Sequence, residues 1–146
     1  MSRTHKVAWA AGFFDGEGYV TIQERNSKIN GKRYRGYYLR VGLKHVAPEP
    51  IYELQTLFGG TVRVESRKNN KDGCRRKDIH VWQLSCQEAK NCLVQLMPYL
   101  VNKNKVAELG IELQNTMGNH GQRTTEEVQL LRALLKSKIT TLNSLD

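Results

Sequence analysis

Four short stretches of the chain alternate apolar and polar residues, a period that is typical of strands with one buried and one solvated face. Val20 and Ile22 alternate with polar neighbours in the first stretch, and Val62 and Val64 do so in the third, so each pair is predicted to face inward. The polar segment 26–35 is interpreted as a loop between the first two strands. The predicted strands span residues 19–25, 36–45, 61–67 and 78–84.

Helices are predicted between and after these strands. The first covers residues 4–14 and is ended by glycines at positions 16 and 18. Pro48 and Pro50 begin a helix that runs to Phe58 and the Gly59-Gly60 pair. Thr124 followed by Glu127 forms a capping box for the last helix, which is expected to end near Leu135. Two further helices are predicted over residues 87–97, with Leu93, Leu96 and Met97 at core spacing, and over residues 102–116.

The order of these elements, αββαββα with trailing helices, predicts an α+β fold. Four antiparallel strands form one sheet, and the helices cover one of its faces. A chain of 146 residues is long enough for one domain with its own core. We expect a single domain over residues 1–146, with a core over about 6–115 and a C-terminal helical extension over about 122–146.

The charge balance indicates a polyanionic partner. The chain has 23 Lys and Arg against 14 Asp and Glu, a formal charge of +9 that is spread along the sequence. It lacks an apolar run of 18 residues and a secretory signal, so an intracellular protein without a membrane partner is expected. Cys74, Cys86 and Cys92 lack the paired spacing of a zinc site and are interpreted as reduced thiols.

The second face of the predicted sheet has no segment to cover it. Its side chains are hydrogen-bonding and mostly cationic, suited to base edges and phosphates. An ordinary solvated sheet is the alternative, but the basic segments 26–35 and 68–77 at the ends of the sheet favour double-stranded DNA. The candidate DNA-binding residues are Tyr19, Thr21, Gln23, Arg25, Lys28, Arg33, Arg35, Tyr38, Arg40, Lys44, Arg63, Glu65, Arg67, Arg75, Arg76, Lys77 and Gln83.

The most informative segment is WAAGFFDGEGYV, residues 9–20, which places two acids among glycines after a short apolar helix. Residues 10–18 resemble the signature of the LAGLIDADG homing endonucleases. The resemblance extends over roughly residues 6–115 and includes the turn Phe58-Gly59-Gly60, the strand at 81–84 and the segment 96–105.

The resemblance implies that two copies of the first helix pack closely along small residues and present an acid to a divalent metal. Glu17 is that acid, one methylene longer than the Asp that often stands in the family, and the Gly16 carbonyl is a second ligand. Mg²⁺ is the expected ion, with Mn²⁺ able to substitute. The positive charge of the ion would offset the negative charge of a carboxylate that the helix dipole disfavours. The residues expected at the dimer interface are Ala8, Ala11, Gly12 and Asp15, with Asp15 interpreted as structural rather than as a ligand.

Two further catalytic positions follow from the resemblance. Lys103 matches the family's active-site lysine, which offsets charge on the phosphate; a solvated lysine at a helix start is the alternative. His45 lies where many relatives place Gln to position water. It could hold water or accept a proton, and a surface histidine without a role is the alternative.

A second copy of the motif is missing from the chain, so cutting both strands requires a homodimer. The resemblance implies an intron-encoded, intron-homing endonuclease. It would bind a long near-palindromic site and hydrolyse one phosphodiester in each strand across the minor groove, leaving short 3′ overhangs. Such relatives are often organellar, in chloroplasts or mitochondria. A small-molecule substrate is not expected.

Two alternatives remain open. One is a catalytically silent DNA- or RNA-binding module of the same fold, an intron maturase or a transcription factor. The other is a basic RNA-binding domain unrelated to the family, which leaves the small residues of the first helix unexplained.

Overall fold

The computed structural model describes residues 1–67, 71–118 and 125–145, and its α+β architecture confirms the predicted fold class. The helices are α1 (Arg3–Glu17), α2 (Pro48–Phe58), α3 (Cys86–Leu96), α4 (Asn104–Asn115) and α5 (Glu126–Ser144), with a 3₁₀ turn at Met97–Tyr99. The strands are β1 (Gly18–Ile29), β2 (Lys32–His45), β3 (Thr61–Glu65) and β4 (Ile79–Ser85).

The strands form one antiparallel sheet in the order β1-β2-β4-β3. Gly18 pairs with Leu43, and His45 pairs with His80, so the start of β1 and the end of β2 lie at the same end of the sheet as the start of β4. Glu65, at the end of β3, pairs with Ile79 at this end too. We call it the motif end, because α1 leads into it.

One face of the sheet carries the hydrophobic core. Val20, Leu39 and Trp82 are fully buried there beneath the helices. The indole of Trp82 donates a hydrogen bond to the Gly59 carbonyl at 2.8 Å, which ties the turn after α2 to β4. We call this the helix-side face and the opposite face, which carries Tyr19 and Tyr38, the open face.

The interpretation of residues 26–35 as a loop is wrong, because β1 and β2 continue through them to a two-residue turn at Asn30 and Gly31. Asn30 has φ 53° and Gly31 has φ 80°. Two positive φ values give a primed turn, whose twist matches that of the strands it joins. The Asn-Gly pair is itself a hairpin signal, and the surrounding charges obscured it.

Other boundaries also differ from the prediction. α1 continues through Gly16 to Glu17, and α4 begins at Asn104, which makes Lys103 its N-cap. The last helix is longer than predicted and begins after Thr125, whose hydroxyl accepts from the Val128 N–H at 3.2 Å. The predicted cap Thr124, like the linker residue Gly121 and Lys68 of the basic turn, lies outside the described residues.

Val64 shares the helix-side face with Val62, as the alternation predicts, but it is 51% exposed, because β3 is the edge strand and the helices leave its end uncovered. Val62, earlier in the same strand, does pack against the core.

Helix α5 packs against α4 and β1, and its Leu135 and Ile139 join the same core. The buried Arg132 donates to the Thr116 carbonyl at 2.8 Å, so it caps the end of α4. Asn143 donates to the Val20 carbonyl at 3.0 Å. Among the described residues, no helix has the length and apolarity needed to cross a membrane.

Candidate active site and nucleic-acid interface

Glu17 is the last residue of α1 and its side chain is exposed at the motif end. The junction that holds it is tight, since a Cβ at Gly18 would lie 2.3 Å from the buried ring of Phe14. Only glycine fits there, and the chain therefore passes directly from helix to strand. Within the described part of the chain, Glu17 has neither a hydrogen bond nor an ion pair, and the last turn of α1 contains no basic residue.

Asp15 is bound by a segment far away in the sequence. Its carboxylate accepts from the backbone N–H groups of Val101 at 2.7 Å, Asn102 at 3.2 Å and Lys103 at 3.0 Å. Burial by itself would raise the pKa of this carboxyl, but the three N–H donors and the Lys103 charge outweigh it and lower the pKa below its usual value. Asp15 is therefore a structural residue, and its partner is the segment before α4 in its own chain.

Lys103 is brought to the motif by these contacts. Its Nζ donates to the Asp15 carbonyl at 3.0 Å, and its side chain is half-buried. The ammonium is thus held two residues along the chain from Glu17. Lys103 and Glu17 therefore lie at the same end of the fold, because the Lys103 ammonium is bound to the Asp15 carbonyl in the last turn of the helix that ends in Glu17.

His45 ends β2 on the helix-side face and is oriented by two neighbours. The Ala47 N–H donates to His45 Nδ1 at 3.0 Å, and the ring packs edge-on against Phe13 of α1, with centroids 5.4 Å apart. Because Nδ1 already accepts, the neutral ring carries its hydrogen on Nε2. His45 can thus donate to a water, whereas accepting a proton on Nδ1 would break the Ala47 bond.

The motif offers a divalent ion oxygen ligands of the right kind, but only a few of them. The Glu17 carboxylate and the carbonyl of Gly16, in the last helical turn, are hard oxygen ligands of the type that Mg²⁺ prefers. Gly16 is exposed, and a Cβ there would meet nothing within 4 Å, which leaves the approach open. Groups of three or more His, Cys, Asp or Glu that could hold a metal are absent from the described residues. The remaining ligands of an octahedral ion would have to come from another molecule.

The open face carries an ordered cluster on β1 and β2. The Tyr38 hydroxyl donates to Gln23 Oε1 at 2.6 Å, and the guanidinium carbons of Arg25 and Arg40 lie 5.0 and 5.3 Å from the centroid of the Tyr38 ring. Thr21 is directly opposite Arg40 in the strand register. All five are predicted DNA-binding residues, and the structure brings them together.

A second cluster crosses three strands. Gln83 donates to the Tyr19 hydroxyl at 2.8 Å and accepts from Arg63 at 2.9 Å, while Arg63 also donates to Glu65 at 2.8 Å. The hydrogen bond from Arg63 lowers the pKa of the Glu65 carboxyl. The Tyr19 ring lies over Gly42, where a Cβ would be 2.3 Å from the hydroxyl. These side chains are therefore fixed relative to one another before any ligand binds.

The basic segment between β3 and β4 lies at the motif end. Arg67 donates to the Lys77 carbonyl at 2.7 Å, which joins the two sides of the segment where it leaves and re-enters the sheet. Arg75, Arg76 and Lys77 line a cleft of about 340 Å³ together with His80. Lys44 is exposed at the same end of the open face. The predicted cations of this region thus lie at the end of the sheet to which α1 brings Glu17.

Three predicted cations lie elsewhere. The alternation of the strands puts Lys28, Arg33 and Arg35 on the helix-side face of the hairpin, and Arg35 forms an ion pair with Glu24 at 3.5 Å. Reading 26–35 as a loop had left their direction undefined. The same alternation puts Tyr34, which the prediction missed, on the open face, where it is 49% exposed.

The exposed side of α1 also differs from the prediction. Ala11 is fully buried in the core of its own chain, so it cannot line a surface that meets a second molecule. The exposed line along the helix consists instead of His5, Trp9, Gly12 and Gly16, with Ala8 half-buried beside it. Small apolar residues fit either side of a helix, and the sequence alone did not separate Ala11 from Gly12.

We expect Asp15→Asn to destabilise the fold in a pH-dependent way. The folded pKa of Asp15 is lowered, so its charge stabilises the fold above the unfolded pKa of about 3.9, and that stabilisation is lost as the pH falls through the folded value. The variant should lose about 1 to 3 kcal/mol of unfolding free energy at pH 7 and less at pH 3. Urea unfolding followed by circular dichroism measures both.

The control for this experiment is Asp72→Asn, at an exposed turn where the carboxylate accepts one local bond from the Cys74 N–H. It should change the unfolding free energy by less than about 0.5 kcal/mol. An Asp15→Asn deficit that is the same at both pH values would contradict the role assigned to the Asp15 charge.

The chain matches no protein-family profile and no curated protein sequence. Solved structures do match: the homing endonuclease I-CvuI, in complex with its target in the presence of Ca, has a TM-score of 0.73 and 23% identity over 96% of this chain and 83% of that one. An archaeal intron-encoded homing endonuclease complexed with DNA has a TM-score of 0.65 and 14% identity, covering 97% and 86% of the two chains.

A third match is the LAGLIDADG homing endonuclease I-LtrWI bound to target DNA, with a TM-score of 0.64 and 22% identity. The alignment covers 89% of this chain but 42% of that one. These three structures match the described architecture, a four-stranded sheet with a helix that ends in Glu17. This chain therefore has the fold of the LAGLIDADG homing endonucleases.

Proposed function

We propose that this protein is a divalent-metal-dependent DNA endonuclease that cuts a long, near-palindromic site as a homodimer. The observation that carries the proposal is the position of Lys103 at the end of the helix that carries Glu17. The Lys103 ammonium donates to the Asp15 carbonyl at 3.0 Å, two residues before the exposed acid, at the end of a sheet whose open face presents tyrosines and arginines. The matching structures were solved in complex with DNA, which supports DNA as the partner.

The reaction is hydrolysis of one phosphodiester in each strand. A water oxygen forms a bond to phosphorus while the bond to the 3′ oxygen breaks, leaving a 5′-phosphate and a 3′-hydroxyl. A bound Mg²⁺ would polarise the phosphoryl group and make the water more acidic. In the chain itself, Glu17 and the Gly16 carbonyl would hold the ion, with Mn²⁺ as a substitute. Neighbouring structures solved in the presence of Ca or Mg support a divalent ion.

Lys103 and His45 would assist from opposite sides of the motif. The Lys103 ammonium would offset the charge that develops on the phosphate. The His45 Nε2–H would donate to a water, because Nδ1 is occupied by the Ala47 N–H. Both groups are fixed by bonds within the chain, so they need little reorganisation during the reaction.

Helix α1 supplies the support for a homodimer. Gly12 and Gly16 lie in a helix, where each costs about 1 kcal/mol relative to Ala, yet a Cβ at either would meet nothing within 4 Å in the chain. Close approach of another molecule would explain both glycines. Trp9 and Val101, 38% and 84% exposed, provide apolar surface near this helix. Ala8 would lie in this interface, and Asp15 would lie beside it.

A dimer would supply the second Glu17 that one chain lacks. Two α1 helices side by side would bring two Glu17 residues to the centre of the site, each near one strand of the duplex. The two open faces would lie in successive major grooves, about one helical turn apart. Cuts across the intervening minor groove would leave short 3′ overhangs. Such a protein acts where its DNA target is, inside a cell or an organelle.

The second candidate function is a silent DNA- or RNA-binding module of the same fold. One observation favours it: a single chain offers a metal only two oxygen ligands from the motif. A silent module would bind its site with or without Mg²⁺ and never cut it.

Digestion of randomised duplex DNA with Mg²⁺, followed by sequencing of the ends, tests the proposal. An endonuclease of this kind should return one near-palindromic site with overhangs of fixed length. Enrichment of bound but uncut DNA would favour the silent module, and a protein that selects no sequence would contradict both.

Arg63→Ala should relax sequence preference at a few base pairs. Arg63 is held by Gln83 and Glu65, so its fork is fixed on the open face and can read base edges. We expect discrimination at those positions to fall by about 1 to 3 kcal/mol. Binding to singly substituted target duplexes measures this, with Lys90→Ala, on α3, as the control. If Arg63→Ala instead weakens DNA binding equally on every sequence, Arg63 contacts a phosphate.

A further inference from the structure

Tyr38 is the centre of the β1–β2 cluster on the open face. It lies directly opposite Gln23, to which its hydroxyl donates at 2.6 Å. That bond links the end of the ring to the neighbouring strand. Two guanidinium groups, from Arg25 and Arg40, lie within 5.3 Å of the same ring centroid. One aromatic side chain therefore organises two cations on neighbouring strands.

The surroundings of the two arginines favour this arrangement. Arg25 is opposite Gly36, which has no side chain to compete for the space beside the ring. Arg40 is half-buried, and its Nε has no hydrogen-bond partner among the described residues; the hydroxyl of Thr21, directly opposite, also lacks one. Buried donors without acceptors are unfavourable until a ligand supplies them. The cluster thus has fixed, unsatisfied donors.

We propose that Tyr38 is a positioning residue that holds Arg25 and Arg40 for guanine recognition, so that each half-site of the target carries guanine at the two positions facing them. The inference rests on the proposed function. The O6 and N7 atoms of guanine present paired acceptors in the major groove that match a planar guanidinium fork. A phosphate needs a cation but not a fork held at a fixed angle.

The shared ring also limits the spacing of the two guanines. Both guanidinium carbons lie about 5 Å from one centroid, so the base pairs that they read are separated by no more than about three steps of 3.4 Å. Loss of Tyr38 should therefore affect two nearby positions together, whereas loss of either arginine should affect one.

Selection from a randomised duplex library in the absence of metal, with the full chain, tests the inference. Wild type and Tyr38→Phe, which keeps the ring, should both enrich two guanines per half-site. Tyr38→Leu should lose the preference at both positions, by about tenfold each. Tyr52→Leu is the matched control, since Tyr52 is an exposed tyrosine on α2, outside the open face, and it should keep the preference. Thermal unfolding of each variant reports on folding.

Replacing each selected guanine by 7-deazaguanine, which lacks the N7 acceptor, is the second measurement. Wild type and Tyr38→Phe should bind the modified duplex about tenfold more weakly, and Tyr38→Leu equally well. Wild-type binding that is indifferent to the replacement would assign both arginines to phosphates and overturn the inference. So would a Tyr38→Leu variant that is folded and keeps the guanine preference. If the wild type selects and cuts a site without these guanines, only this inference fails; if it selects nothing, the proposed function fails with it.

Discussion

Replacing Glu17 by Gln is expected to reduce DNA cleavage by roughly a thousandfold or more, equivalent to about 4 kcal/mol of activation barrier, with little change in site-specific binding. Glu17 is the only exposed acid of the motif, since Asp15 is engaged by three backbone N–H groups. Glutamine keeps the shape but removes the charge that a divalent ion requires. The open face, which would carry the sequence preference, is untouched.

The measurement pairs single-turnover cleavage in Mg²⁺ with gel-shift binding in its absence. Glu112→Gln on α4, an exposed glutamate of another helix, is the control and should cut at the wild-type rate. Wild-type cleavage by Glu17→Gln would remove Glu17 from the mechanism. Loss of binding together with cleavage would show instead that Glu17 contributes to the DNA interface or to assembly.

The sequence predicted those elements whose signals are local. Pro48 and the Gly59-Gly60 pair bound α2 at the predicted residues, because a proline favours the first turn of a helix and glycine its end. The alternation of Val20 and Ile22 correctly identified the buried face of β1. The hairpin tip was missed although Asn30-Gly31 is a local signal too, because the charges around it were read as a loop.

The site depended on contacts that no local pattern contains. Asp15 meets Val101, 86 positions later in the chain, and Gln83 meets Tyr19, 64 positions earlier. The family resemblance predicted Lys103, but only the fold shows that the Asp15 carbonyl holds its ammonium. Likewise the faces of a single helix are ambiguous until its neighbours are known, and for this reason Ala11 was assigned to the wrong side of α1.

Gly12 offers the sharpest test of the homodimer, because a side chain there should have opposite effects on the chain and on its assembly. In the isolated chain, a Cβ at Gly12 meets nothing within 4 Å, and leucine is the better helix former by about 0.8 kcal/mol, so Gly12→Leu should fold at least as well as wild type. In a dimer built on α1, two leucines would meet across the twofold axis. Overpacking of about 1 to 3 kcal/mol for each weakens association by roughly 30-fold or more.

Sedimentation velocity with and without target DNA measures assembly, and cleavage of a supercoiled plasmid separates nicking from cutting of both strands. We expect Gly12→Leu to remain a monomer at concentrations where the wild type is a dimer, and to lose cutting of both strands. Asn91→Leu, on the exposed side of α3, adds the same side chain outside α1 and should behave as wild type. If Gly12→Leu dimerises and cuts normally, α1 is not the interface, and the two glycines on its exposed side require another explanation.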